Sequence, residues 1–185
     1  MFGNEDLNRL VECAGRALES EDRYLVHCAS ERHWRGGPIG ISDNINERYY
    51  QFVVWRALMA SFPWRPRTER QRYDLAFYND VTNEPVAFAQ IKRWWSVFGE
   101  AELRGIRRDL EKLGTRRIPG VMLILTWHSK AKAEDNFRWL AEKLGVSRDD
   151  IVTYSFDTLS PDDDHPTEFA VIGFLVAQKA LPASA

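Results

Sequence analysis

In the stretch FAQIKRWW, Phe88 to Trp95, an amide and an ammonium stand two positions apart among strand-forming residues: Gln90 and Lys92. Side chains of an extended chain alternate between faces, so these two point the same way while Ala89, Ile91 and Arg93 point the other. A buried face does not carry such groups without partners. Either the strand lies at a sheet edge or something on that face needs them. Asp74, in RYDLAFY, occupies the strand-like segment just before. If the two segments pair as a hairpin in register, its carboxylate meets Gln90 and Lys92. A carboxylate, a second oxygen donor and a lysine at one spot can hold a hard cation with a water beside it. Glu47 is a fourth residue of this kind, because on a helical wheel it shares a stripe with Tyr50, Gln51, Val54 and Leu58. Its alternative role is in a capping box with Asn44, where it would only satisfy a backbone N–H.

The elements that must position these residues can be read from periodicity and turn chemistry. Residues 5–19 have an amphipathic helical pattern through Leu7, Leu10, Val11, Ala14 and Leu18, and a glycine-rich loop follows. Residues 43–62 form the longest helical pattern, which Pro63 and Pro66 prevent from continuing. Residues 64–80 read as two strands with a break near Glu69, and VTNEP turns the chain into a third strand over 86–95. A helix over 99–114 ends at Gly114, and a fully apolar strand follows at 120–127. A further helix spans 131–145, with strands at 151–156 and 168–178 around the acidic loop SPDDDHP. A strand, a helix and then a very apolar strand imply a parallel crossover within a mixed sheet. The expected class is α/β, with antiparallel strands first and helices on both faces.

Asp74, then Gln90-Ile91-Lys92, after a long helix bearing Glu47 and before a helix and an apolar strand, resembles the PD-(D/E)XK (restriction-endonuclease-like) nuclease superfamily. The core order of that family, αβββαβ, corresponds to about residues 43–127, a little under half of the chain. Two departures stand out: Tyr73 precedes Asp74 where the motif has proline, and Gln90 stands in place of the acid of the triplet. The first is a variation of a loose motif, whereas the second touches the metal site. Some members of the superfamily, including endonucleases that cut transposon ends, look similar in using Gln there. The resemblance implies that Asp74 is the principal carboxylate for Mg²⁺ or Mn²⁺, with the Gln90 side-chain oxygen and the Ile91 backbone carbonyl beside it. Lys92 would orient or deprotonate the attacking water and stabilise charge near the phosphate, and Glu47 would complete the site. The implied activity is Mg²⁺-dependent hydrolysis of phosphodiester bonds, in DNA. The alternative is a noncatalytic member that binds nucleic acid or a protein, because a lost carboxylate is also how degeneration would begin. A structural role for the polar pair is the third reading.

Charge is distributed unevenly along the chain. The total of 185 residues carries a net charge of -2, yet 64–117 alone carries +4, and the rest therefore -6. One basic face, suited to phosphate, can hide in such a balance. Arg65, Arg67, Arg70 and Arg72 lie just before Asp74, where they could guide a polyanion or merely keep an edge strand from aggregating. Arg93 follows Lys92 directly. Arg104, Arg107, Arg108 and Lys112 make a stripe on the next helix that could track a phosphate backbone, but Glu100, Asp109 and Glu111 favour intrahelical pairs. Trp94 and Trp95 point to opposite faces, so one at most could stack on a base. His27, Cys28 and His33 lack the second cysteine pair of a zinc site, and His128 at a strand end could assist catalysis.

With 44% hydrophobic and 28% charged residues, the chain has the composition of a globular protein, and no segment is long and apolar enough to span a bilayer. The first residues lack the order of a signal peptide, and the two cysteines, Cys13 and Cys28, form no spaced framework. A cytoplasmic protein of one domain over 1–185 is expected, with a helical extension over 1–42 and further helix and strands over 128–180. Its expected partner is DNA, with a homodimer or a protein partner as further options.

Overall fold

The computed structural model describes residues 2–31, 40–41, 46–70, 72–94, 99–159 and 167–178, with the backbone alone at 30, 31, 69 and 70. Helices α1 (Asn4–Glu31) and α2 (Glu47–Ser61) lead into strands β1 (Arg65–Arg70), β2 (Tyr73–Tyr78) and β3 (Pro85–Trp94). Then come α3 (Glu100–Gly114), β4 (Gly120–Ser129), α4 (Lys130–Leu144), a short 3-10 turn (Arg148–Asp150), β5 (Val152–Thr158) and β6 (Thr167–Val176). The strands form one six-stranded mixed sheet in the order β1-β2-β3-β4-β6-β5. Of the pairings, β3 with β4 is parallel and the others are antiparallel. The α/β class, the β2–β3 hairpin and the crossover through α3 are thus as expected.

Strand alternation divides the core into two layers. Ala89, Ile91, Val121, Leu123 and Leu125 pack with Leu10, Leu18, Tyr50, Val54 and Leu58 of α1 and α2. Phe88, Met122 and Ile124 pack with Leu103, Ile106, Leu113 and Leu140 of α3 and α4. Because β3 is paired on both sides, the sheet-edge explanation for Gln90 and Lys92 is excluded. Lys92 belongs to the even-numbered set of β3 and so faces the layer covered by α3.

The first helix runs well past the expected 5–19, and polar contacts account for the difference. Apolar periodicity fades after Leu18, but Asp22 accepts bonds from the Ile41 amide at 2.7 Å and the Thr158 hydroxyl at 2.6 Å. Glu21 accepts from the Tyr49 hydroxyl and from Arg56. Such partners, distant in sequence, hold the second half of α1 where local pattern does not. Among the described residues, no helix is long and apolar enough to cross a membrane.

Candidate active site

Three elements, α2, β2 and β3, bring the predicted residues to the C-terminal part of β3. The β2–β3 ladder pairs Leu75 with Ala89, so the next positions along it, Asp74 and Gln90, lie across from each other. The ladder itself ends at Leu75 and Ala89, and Asp74 continues the link through its side chain. Its Oδ2 accepts the Ile91 amide hydrogen at 2.8 Å, binding side chain to neighbouring strand. Tyr73, directly before Asp74, anchors the start of β2. It is 1% exposed, its ring stacks on Phe88 at 4.5 Å, and its hydroxyl donates to the Lys112 carbonyl at 3.3 Å.

Glu47 reaches the same place from the first turn of α2, where a carboxylate is also favoured by the helix dipole. Its Oε1 lies 3.2 Å from Lys92 Nζ, and its Oε2 accepts the Arg93 amide at 3.2 Å. The capping role belongs to another residue: the Asn46 side chain accepts from the Tyr49 amide, whereas Asn44 lies outside the described residues. Gln90 is 3% exposed, and its Nε2 donates to the Arg72 carbonyl at 3.1 Å. A carbonyl can only accept, so that contact fixes which end of the amide is nitrogen and leaves the oxygen as the donor available to a cation. Ile91 contributes its amide to Asp74, and its side chain is fully buried.

Asp109 is the residue that the sequence pattern assigned elsewhere. It was expected to pair with arginines of its own helix, but its Oδ2 lies 3.3 Å from Lys92 Nζ. Its place on α3 explains this. Asp109 stands three residues after Ile106 and four before Leu113, both buried, whereas Arg104, Arg107 and Arg108 are exposed. The inward stripe was the available signal. Arg107 instead donates to the Lys143 carbonyl at 3.0 Å, and among the described residues none of these arginines pairs with Glu100, Asp109 or Glu111.

Electrostatics follows from this convergence. Burial raises the Asp74 pKa above the ordinary carboxylate value, the Ile91 amide and Lys92 counter it, and Glu47 and Asp109 add repulsion. Burial pulls the Lys92 ammonium down, but Glu47, Asp109 and Asp74 together outweigh this and hold it above the ordinary lysine value. Lys92 is therefore protonated at neutral pH. Among the described residues, no group of three or more His, Cys, Asp or Glu side chains is arranged to hold a metal ion.

The remaining candidates are placed elsewhere or lie outside the described residues. Arg65 and Arg67 both donate to the Asn83 side chain at the β2–β3 turn, and Arg65 also pairs with Asp80 at 3.5 Å. Both are on the edge strand β1, where Arg65 pairs with Tyr78 at the far end of β2 from Asp74 and Arg67 pairs with Ala76. The Arg70 backbone pairs with Tyr73, Arg72 is exposed, and Arg93 offers its amide to Glu47. Trp94 is fully buried and stacks on Trp139 at 5.9 Å, which makes it a core residue; Trp95 and His33 lie outside the described residues. His128 is buried, bonded to the Thr126 hydroxyl at 2.9 Å and packed against Trp94 and Phe137, and burial lowers its pKa to about 4. It is a neutral core histidine. In comparisons with known proteins, the chain matches no family model, no curated protein and no solved structure.

Proposed function

We propose that this protein is a nuclease of the restriction-endonuclease-like kind that hydrolyses phosphodiester bonds in DNA with Mg²⁺ or Mn²⁺. The observation that carries this reading is the meeting of Glu47 and Asp109 on the Lys92 ammonium, on the strand whose Gln90 lies across from Asp74. The element order from α2 to β4 also agrees with the core order that the resemblance implies.

The donor set suits a hard cation. Mg²⁺ takes one or two carboxylates and keeps several waters, so Asp74 with the Gln90 oxygen meets its needs. Such an ion would polarise a phosphoryl oxygen and acidify a bound water. The chain's own residues do the rest. Lys92 is charged at rest, so it acts as a fixed positive charge beside the phosphate and orients water, rather than removing a proton. Glu47 and Asp109 hold that ammonium in place from two helices. The Ile91 amide holds Asp74, and the stacking of Tyr73 on Phe88 fixes the residue just before it.

Incubation of plasmid DNA and of RNA with the protein, with Mg²⁺, Mn²⁺ or EDTA, tests the reading. Cleavage of DNA that needs metal and is lost in Asp74→Asn is expected. No cleavage of either polymer by the parent, or equal cleavage by Asp74→Asn, would overturn it. The second reading, a noncatalytic protein of the same fold that binds nucleic acid or a protein, is favoured by one feature: Gln90 supplies no charge where the motif has an acid. Binding without cutting would establish it.

A further inference from the structure

We propose that Arg72, Lys112 and Arg116 form a phosphate cradle beside the Asp74 site, holding a backbone phosphate of the nucleic acid next to the one attacked. This rests on the reading of the site as one that acts on nucleic acid. Lys112, in the last turn of α3, and Arg116, just beyond that helix, converge on Tyr73, and Arg72 directly precedes Tyr73 in the chain. Lys112 Nζ lies 4.4 Å above the Tyr73 ring and donates to the Arg72 carbonyl. Arg116 Nε donates to the Tyr73 hydroxyl at 3.1 Å, with its guanidinium carbon 5.7 Å from the ring centroid. Arg72 takes a left-handed backbone conformation, with φ of 70°, which turns the chain so that its carbonyl receives Lys112 and Gln90 together. The cradle is thus bonded to the site through Gln90 and lies two residues from Asp74.

Like charges do not gather without a reason. A cation in the last turn of α3 is favoured by the helix dipole, which accounts for Lys112 alone. Among the described residues, none of the three has a carboxylate within ion-pair distance, whereas Arg16, Arg23, Arg56, Lys130, Arg138 and Arg148 each do. Burial lowers the Lys112 pKa, Asp109 and Asp74 oppose this, and Lys92 and Arg72 add to the lowering. An anion would relieve that repulsion. A guanidinium and an ammonium on one rigid aromatic platform, next to a carboxylate site, suit an anion with several oxygens. Tyr73 itself, stacked on Phe88 and buried, offers no face to a base, so the contact is to phosphate and independent of sequence.

The test is the salt dependence of binding. Fluorescence anisotropy of a labelled duplex DNA is measured in EDTA over a series of NaCl concentrations, with inorganic phosphate as a separate competitor. Lys112→Gln and Arg116→Gln should each weaken binding and reduce the slope of log affinity against log salt by about 0.9, the value for one lost phosphate contact. Lys112→Arg should retain the parent slope, and Arg16→Gln, on α1 at the opposite layer, should leave it unchanged. Circular dichroism verifies that each variant is folded, and the two Gln variants are independent of one another. Parent slopes in both Gln variants would overturn the cradle, as would an equal loss in Arg16→Gln. Displacement of DNA by phosphate at equal concentration of phosphate groups would also overturn it, because it would mark a site for the free ion. The two readings fail separately: a parent that cuts DNA while the slopes stay unchanged lacks the cradle alone, and slopes that fall in a parent that never cuts retain the cradle without the hydrolysis.

Discussion

Glu47 and Asp109, on helices packed against opposite faces of the sheet, meet on one ammonium, with Lys92 Nζ at 3.2 Å from the first and 3.3 Å from the second. The strand that carries Lys92 is central, so this contact joins both layers at a single point. A lysine so placed neutralises two carboxylates at once.

Lys92→Ala should therefore separate binding from chemistry. Loss of a positioned charge removes orders of magnitude in rate, so cleavage should fall by about a hundredfold or more. Mg²⁺ affinity should hold or rise, because Glu47 and Asp109 lose their partner. Single-turnover cleavage and metal titration on the same preparation check both, and a variant that cuts as fast as the parent would remove Lys92 from the mechanism.

Asp109→Asn should lower cleavage about tenfold or more, while Glu111→Gln, exposed on the same helix, should leave it unchanged. The pH–rate profile distinguishes positioning from mere structure. Asp109 helps to hold Lys92 protonated, so its loss should move the alkaline limb to lower pH. An unmoved limb with normal rate would make Asp109 a structural residue.

Asp74→Asn should stabilise the protein at neutral pH. The sign follows from linkage: the folded-state pKa of Asp74 is raised, so the folded state binds the proton more tightly, and stability falls as pH rises from the unfolded value of 3.8 through the folded one. Asn carries no such charge. The variant's gain in Tm should thus be present at pH 7 and vanish below the unfolded pKa, with each kcal/mol appearing as about 2–4 °C for a domain of this size. Thermal melts from acid to neutral pH read this directly. A lower Tm in the variant at pH 7 would mean that the carboxylate stabilises the fold.

How legible the site was depended on where its partners lie in sequence. Asp74, Gln90 and Lys92 were readable because strand alternation and a hairpin suffice to bring them together. Glu47 was readable from its helical stripe, but its ambiguity with a cap is resolved by the Asn46 cap and by the Lys92 and Arg93 contacts far along the chain. Asp109 was missed because charge neighbours on α3 offered a local explanation, whereas its inward position beside Ile106 decided its partner. Likewise, Arg65 and Arg67 are close to Asp74 in sequence, yet the antiparallel pairing carries Arg65 to the opposite end of β2, and both side chains are committed to Asn83 at the turn. The second half of α1 depends on Ile41, Tyr49 and Thr158, and no local pattern foretells it.

Gln90→Glu should bind metal more tightly and fold less stably without it. A carboxylate beside a dication gains on the order of several kcal/mol at an effective dielectric of about 20, before desolvation is subtracted. In the absence of metal, the variant loses the donor that meets the Arg72 carbonyl, which costs about 1–3 kcal/mol for a buried group. Tm should fall in EDTA and recover with Mg²⁺. In an active enzyme cleavage persists in the variant, and in a degenerate site it appears there for the first time; a variant indifferent to Mg²⁺ would place residue 90 outside the cation site.

The most direct measurement is calorimetric titration of Mn²⁺ into the parent and Asp74→Asn, with plasmid nicking followed in the same samples. The parent should bind the ion and nick the plasmid only in its presence, and Asp74→Asn should lose both while remaining folded. A folded parent that neither binds metal nor nicks DNA would contradict the claim that Asp74, Gln90 and Lys92 form a metal-dependent phosphodiesterase site.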